Sequence, residues 1–285
     1  MAGNRTSFSV VMKPSFFLLR TGLAGLGLLL GALAHAASPE WESPPTSHKA
    51  VRPYADASAL YRSVLPPAPE QGSAQDRDDV AAVLARQQVA PERRAQAEAD
   101  GRWLYDRFAP VLGLQTLGRD HLPQLVNLLN RAVKQVGGPA FAAKNEYRRL
   151  RPHQRLPLGQ VCGRAEGAQP DPDATQRTSY PSGHAAYGWT TALVLARVAP
   201  QQAGALLRRA QDYAESRVIC GMHFPSDVEA GRQLATAVVA QLDGNPEFQQ
   251  DLRLARSELA LRLAALTAPR SVPPEPESPP ASAPR

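Results

Sequence analysis

Between about residue 72 and residue 267 the apolar side chains recur at i, i+3 and i+4, and runs that alternate with a period of two are nearly absent. That pattern suits helices that each bury one stripe and leaves little material for a sheet. It predicts an all-α chain with a single helical-bundle domain over 72–267. Val80, Val83 and Leu84 begin one stripe, Trp103, Leu104, Phe108 and Leu112 a second, and Leu122, Leu125, Leu128, Leu129, Ala132 and Val136 a third. Gly137-Gly138-Pro139 is expected to end the third helix, with a short helix over about 140–150 after it. An irregular stretch rich in Pro and Gly follows from Pro152 to Pro181, a loop long enough to suggest function. Further helices are predicted over about 183–198, 201–217, 224–242 and 246–266. Trp189, Leu193, Leu234 and Val238 on them read as core.

The borders of this domain differ in composition. Arg5, Lys13 and Arg20 precede an acid-free apolar run from Thr21 to Ala34, and Ala34-His35-Ala36 closes it with small residues at the first and third places. The run is shorter than the roughly 20 residues needed to cross a bilayer, so 1–36 is read as a signal peptide cleaved after Ala36. The alternative is an uncleaved N-terminal anchor, and either implies export to the periplasm or beyond. Residues 37–71 are Pro-rich and lack helical periodicity, as expected of a linker or surface arm, and 268–285 reads as a disordered Pro-rich tail. Removing the leader takes three basic residues and no acidic ones from the formal +6, leaving +3. So mild a balance argues against a nucleic-acid partner. The two cysteines, Cys162 and Cys220, both lie in the exported part, where an oxidising compartment favours a disulfide between them.

Three segments carry chemistry. Lys144 and Arg151 are seven residues apart, close to two helical turns, so on one helix they would project within about 20° of each other and suit an anion. Pro181-Ser182-Gly183-His184 closes the long loop and opens an apolar helix. There, unpaired backbone N–H groups, the positive end of the dipole and a glycine allow close approach of a phosphate. Ser216-Arg217 is followed by His223 and, four residues later, Asp227, near enough for the carboxylate to orient one imidazole nitrogen and leave the other to attack. Taken singly, each has an ordinary reading as a solvated basic face, an N-cap or a surface ion pair. Taken together they supply what in-line phosphoryl transfer requires: cations and N–H donors, a nucleophile, and a proton donor opposite.

Lys-x6-Arg-Pro, then Pro-Ser-Gly-His after 28 residues, then Ser-Arg-x5-His-x3-Asp after 31 more, resembles the phosphatidic-acid-phosphatase type 2 and vanadium haloperoxidase superfamily. Ser179 to His184 and Ser216 to Gly221, with Met222-His223 and Ser226-Asp227-Val228, are more closely similar to the bacterial class A non-specific acid phosphatases. The likeness spans about Trp103 to Leu252. It implies an all-α fold, no cofactor and no metal, and small phosphomonoesters such as nucleotides, sugar phosphates or aryl phosphates as substrates. The implied roles are phosphate binding by Lys144, Arg151, Ser182, Gly183 and Arg217, nucleophilic attack by His223, orientation of that ring by Asp227, and protonation of the leaving oxygen by His184. The sequence departs from the family where His153 replaces a frequent Phe, Ala185 a frequent Thr and Phe224 a frequent Trp. None removes a catalytic group, and substrate choice is what they bear on.

The reaction expected is hydrolysis through a phosphohistidine on His223, with His184 as acid and then base. A vanadate-dependent haloperoxidase would use the same ligands. A zinc hydrolase is disfavoured because three cations would repel the metal, and an integral lipid phosphatase because the catalytic helices carry charges at intervals. A non-catalytic phosphate-binding protein would keep the cradle without turnover. The sequence leaves the physiological substrate and self-association into a homo-oligomer open, and gives His48 and His121 no role.

Overall fold

A computed structural model describes residues 51–164 and 178–268. The leader, His48, the first part of the Pro-rich arm and the tail beyond Ala268 lie outside the described residues. The order is α1 (Tyr61–Val64), α2 (Ala74–Ala85), α3 (Pro91–Ala99), 3-10 turns at Tyr105–Arg107 and Ala109–Leu112, α4 (Pro123–Tyr147), α5 (Pro152–Arg155), α6 (Gly183–Val198), a 3-10 turn at Pro200–Gln202, α7 (Ala203–Ile219), α8 (Pro225–Leu242) and α9 (Pro246–Thr267). There is no strand among the described residues, and the all-α expectation is met. Proline occupies the first helical position of α3, α4, α5, α8 and α9, where its missing N–H would have been unpaired in any case.

Helix α6 is the centre of the bundle and packs on α4, α7, α8 and α9. It is buried on nearly all sides, from Gly183 to Val198, as an apolar helix of small residues must be. Close approach is part of its design: a Cβ on Gly188 would lie 2.4 Å from the Tyr213 ring of α7. Around it Leu125, Leu129, Val133, Leu195, Leu206, Leu234, Val238 and Phe248 form one continuous core. Tyr54, Tyr61 and Leu65 of the Pro-rich segment belong to the same core, so its described part, 51–71, lies against the bundle.

Four local expectations are corrected. First, Gly137-Gly138-Pro139 does not end a helix; α4 runs through it to Tyr147. A mid-helix proline costs about 3 kcal/mol. Here the preceding glycine has no Cβ to meet the proline ring, and Val133, Val136, Ala140 and Ala143 are buried on both sides of the interruption. Second, the stripe from Trp103 to Leu112 forms 3-10 turns instead of an α-helix. Trp103 has φ 54°, Gly113 φ 72°, and Pro110 sits between them, although Leu104, Phe108 and Leu112 are buried as expected. Third, Lys144 and Arg151 do not share a helix, because Arg148 turns left-handed with φ 47° and Arg151 caps α5. Fourth, Leu84, placed on the first stripe, is exposed on α2, whereas Val83 is buried.

Candidate active site

The carboxyl end of α4, the start of α5, the amino end of α6, the carboxyl end of α7 and the start of α8 converge, and each delivers at least one of the expected residues. Ser182 caps α6: its side chain accepts from Ala185 N at 3.2 Å, and its own N–H donates to Asp227 O at 2.8 Å. Gly183 is the first helical residue, and a Cβ there would stand 3.7 Å from Lys144 Cε, so the lysine stem passes directly over the helix start. Lys144 Nζ donates to the Thr178 and Pro181 carbonyls. Arg151 donates from Nε to Thr178 Oγ1 at 3.2 Å and from Nη1 to Met222 O at 3.2 Å.

The imidazole of His223 is set between Arg151 and Asp227. Arg151 Nη1 lies 3.3 Å from His223 Nε2, and because a guanidinium only donates, Nε2 is the accepting nitrogen. The ring proton therefore sits on Nδ1, which faces Asp227 Oδ2 at 3.6 Å, an ion-pair distance longer than a hydrogen bond. Asp227 is fully buried, and its carboxylate is held tightly by other groups. Oδ2 accepts from Ser179 Oγ at 2.6 Å and from Phe224 N at 2.8 Å, and Oδ1 accepts from Arg149 Nη1 at 2.7 Å. The Phe224 contact is the backward half of a capping box at the start of α8.

His184 is placed from behind. Its Nε2 donates to the backbone carbonyl of Asp100 at 3.0 Å, and its ring stacks on Tyr213 with centroids 5.1 Å apart and planes 12° from parallel. Asp100 is itself pinned by Ser216 Oγ at 2.7 Å and by Arg209.

The electrostatics are those of a site short of negative charge. Burial, then the Arg151 cation, pushes the Lys144 ammonium well below its ordinary value. Burial and Arg217 lower the Arg151 guanidinium to about 10. His223 is pushed well below 6.5 by burial and then by Arg151, Lys144 and Arg217, with the Ser179 backbone opposing; His184 is lowered likewise by burial and then Arg217. Arg217 is buried, and its Nη1 has no hydrogen-bond partner among the described residues. A desolvated guanidinium nitrogen left unpaired is costly, and an anion seated there removes the cost.

The eight residues expected to bind phosphate or do chemistry thus lie on five converging elements, and the influence of Arg217 and Arg151 on both histidines places the two rings in one field. Cys162 and Cys220 form a disulfide with Cα atoms 4.8 Å apart, tying the segment after α5 to the end of α7, three residues before His223. His153 lies beside that junction, its backbone N–H and Nδ1 both on Gly221 O. Sequence reasoning missed Arg149, Asp76, Asp79, Ser179 and Asp100. Arg148 and Arg149 look alike as neighbouring cations, yet Arg148 is exposed while Arg149 is buried among carboxylates. The i, i+3 spacing of Asp76 and Asp79 was the available signal, and it reads equally as a solvated helix face.

Comparisons with known proteins agree with this geometry. The PAP2 superfamily profile matches residues 126–242, from the third stripe to the end of α8. The chain is 36% identical over 205 residues to the non-specific acid phosphatase of Providencia stuartii, covering 70% of this chain and 80% of that one. It is 33% identical over 247 residues to the acid phosphatase of Zymomonas mobilis, covering 85% and 87%. Identity to the non-specific acid phosphatase of Salmonella typhi is 39% over 155 residues, or 53% of this chain and 59% of that one. Likeness of this degree, extending over most of two of these relatives and carried by the motifs that build the site, means that the chain belongs to the bacterial class A non-specific acid phosphatases of the PAP2 superfamily.

Proposed function

We propose that this enzyme hydrolyses small phosphomonoesters, without a metal, through a phosphohistidine on His223. The observation that carries this reading is the unpaired, buried Nη1 of Arg217, which with Lys144 and Arg151 makes three cations around two uncharged histidines, while the nearby carboxylates of Asp227 and Asp100 are spent on other donors and leave the site short of negative charge. A phosphate dianion at the start of α6 supplies that charge, with further donors from the N–H groups of the helix start. It also reverses the field that lowers the histidines, so that His184 takes up a proton while His223 Nε2 keeps its lone pair.

Nε2 then attacks phosphorus and forms the N–P bond as the ester P–O bond breaks. The departing alkoxide takes the proton of His184. Because Nε2 of that ring is committed to the Asp100 carbonyl, the proton transferred is the one on Nδ1. Water next attacks the phosphohistidine, His184 accepts its proton, and the P–N bond breaks to return neutral His223 and inorganic phosphate. The negative charge that develops on the equatorial oxygens faces Lys144, Arg151 and Arg217. Three cations around the histidines also disfavour a divalent metal at the same place.

The signal-like leader and the disulfide support export to the periplasm or the medium. Among the described residues no helix is long and apolar enough to cross a membrane. Hydrolysis of p-nitrophenyl phosphate at acidic pH in excess chelator, with acid-labile label trapped on the wild type and absent from His223→Ala, is the expected result. Label retained in His223→Ala, activity restored only by zinc, or peroxide-dependent bromide oxidation with vanadate in place of hydrolysis would overturn it. Phosphate binding without turnover would also overturn it, leaving a non-catalytic phosphate-binding protein.

A further inference from the structure

Behind His223, on the side away from the phosphate-binding cations, lies a buried cluster of charges that the reaction scheme does not use. Arg149 is its hub. Its Nη1 donates to Asp227 Oδ1 at 2.7 Å and to Ser226 Oγ at 2.7 Å. Its Nη2 donates to Asp79 Oδ2 at 2.8 Å and to Asp76 Oδ1 at 3.1 Å. The guanidinium lies over the Phe224 ring, 4.3 Å from its centroid. Asp79 also accepts from Ser226 N at 3.0 Å and from the Ser226 hydroxyl. Arg155 closes the cluster with two bonds to Asp76, of 2.7 and 2.8 Å, which hold that carboxyl well below the usual carboxylate range.

We propose that Arg149 is a positioning residue for the nucleophile: it clamps Asp227 to helix α2, and through Asp227 it fixes the His223 ring. The inference rests on the phosphohistidine reading above. Four observations carry it. Both terminal nitrogens of Arg149 are spent on protein acceptors, Asp227, Ser226, Asp79 and Asp76, which hold the guanidinium on the far side of the carboxylate from His223. Each oxygen of Asp227 has a separate assignment, Oδ1 to Arg149 and Oδ2 to Ser179, Phe224 and the face of His223; removing Arg149 strands one buried carboxylate oxygen and frees the group to turn. Ser226 and Asp227, the second and third residues of α8, are both held through the same arginine, so the start of the helix is fixed along with the side chain. Finally, Asp76, Asp79 and Asp227 against Arg149 and Arg155 leave one formal negative charge beside His223, which favours the positive imidazole formed as the N–P bond develops. Asp76 and Asp79 precede the stretch matched by the superfamily profile, so α2, outside that stretch, takes part in the site.

A residue that acts on the orientation of the nucleophile is distinguishable from one that binds phosphate. Vanadate completes a trigonal bipyramid by bonding to the histidine nitrogen, whereas inorganic phosphate needs only Lys144, Arg151, Arg217 and the helix start. In Arg149→Met, phosphoenzyme formation measured by rapid quench is expected to slow by about 100-fold, the usual scale for a misplaced reacting group. Vanadate inhibition should weaken by a comparable factor while inhibition by inorganic phosphate stays within about threefold. Equal weakening of vanadate and phosphate, or an unchanged quench rate in folded Arg149→Met, overturns the clamp. If Arg149→Met does not fold, as judged by circular dichroism, Asp79→Asn decides. It keeps the shape and removes one charge at the far end, and it should show the same selective loss of vanadate affinity at about 10-fold; wild-type behaviour overturns the proposal. A wild type that forms no phosphohistidine on His223 sinks the catalytic reading whatever the variants do, whereas a normal wild type with unaffected variants sinks the clamp alone.

Discussion

Helix α8 meets the start of α6 at Gly231, one turn beyond Asp227, and Gly231→Ala tests whether that approach holds the site together. A Cβ at this position would lie 2.4 Å from Ser182 O, 3.1 Å from Ala186 N and 3.2 Å from Ala185 Cβ. An ordinary carbon–oxygen contact is about 3.2 Å, so α8 and the start of α6 must separate by roughly 0.8 Å, and what they meet is backbone that cannot swing aside. The carbonyl concerned accepts the first helical bond of α6, from Ala186 N at 3.0 Å, and Ser182 N is bonded to Asp227 O at 2.8 Å. The displacement therefore falls on Ser182, His184 and Asp227 together. Overpacking of this kind costs about 1–3 kcal/mol, a fall of several degrees in melting temperature for a domain of this size. A shift near 1 Å between reacting groups costs about 100-fold in rate. Gly204→Ala is the control. It also lies in a helix, yet its Cβ would meet only the flexible end of Arg208, at 3.4 Å, so it should stabilise by up to about 1 kcal/mol with turnover unchanged. Thermal melts and kcat with p-nitrophenyl phosphate on both variants check the pair. A Gly231→Ala enzyme that melts higher, as helix propensity alone would have it, or turns over within twofold of wild type would refute the reasoning.

Two further predictions concern protons and the disulfide. Burial and neighbouring cations hold His223, His184 and Lys144 below their ordinary values, so a phosphate dianion must raise them, and binding near neutral pH should take up protons. Calorimetry in buffers of different ionisation enthalpy checks this, with zero uptake or release as the refuting result. By the same sign, the folded enzyme binds fewer protons at these histidines than the unfolded chain does, so their contribution to stability is present above the ordinary 6.5 and lost as pH falls below it. Removing the disulfide by Cys162→Ser with Cys220→Ser frees a loop with a sequence separation of 58, worth about 4 kcal/mol in the chain-entropy treatment. Denaturant unfolding of the double variant should show a loss of that order, and an unchanged midpoint would mean that the unfolded chain is not restrained by the bond.

The legible part of the structure is local. The stripes of α4, α6, α7, α8 and α9 follow from 3.6-residue periodicity, and the starts of α4, α6, α8 and α9 from proline at the first helical position or a Ser or Asn cap. The pairing of Cys162 with Cys220 followed from there being two cysteines and from the expectation of export. The residues proposed to hold phosphate were visible because anion chemistry admits few side chains, and Lys144, Arg151, Ser182, Gly183, His184, Arg217, His223 and Asp227 are the ones the fold gathers.

Some features were beyond reach because long-range packing energies exceed local preferences. Gly137-Gly138-Pro139 carries a stop signal, and burial on both sides of it overrides that signal. Seven-residue spacing suggested one helix for Lys144 and Arg151; the structure brings them to the same site by ending α4 and turning the chain at Arg148. Asp100, more than eighty residues before His184, offers it a backbone carbonyl, which no sequence pattern encodes. Arg149 and Arg148 are the same residue type side by side, and only the presence of Asp76, Asp79 and Asp227 around one of them decides which is buried. The sequence by itself determined most of the helical stripes and which groups can hold a phosphate, since both depend on side-chain chemistry and near neighbours. The tertiary structure alone decided which charges compensate one another in the interior, because a buried ion survives only where distant segments bring its partner to it.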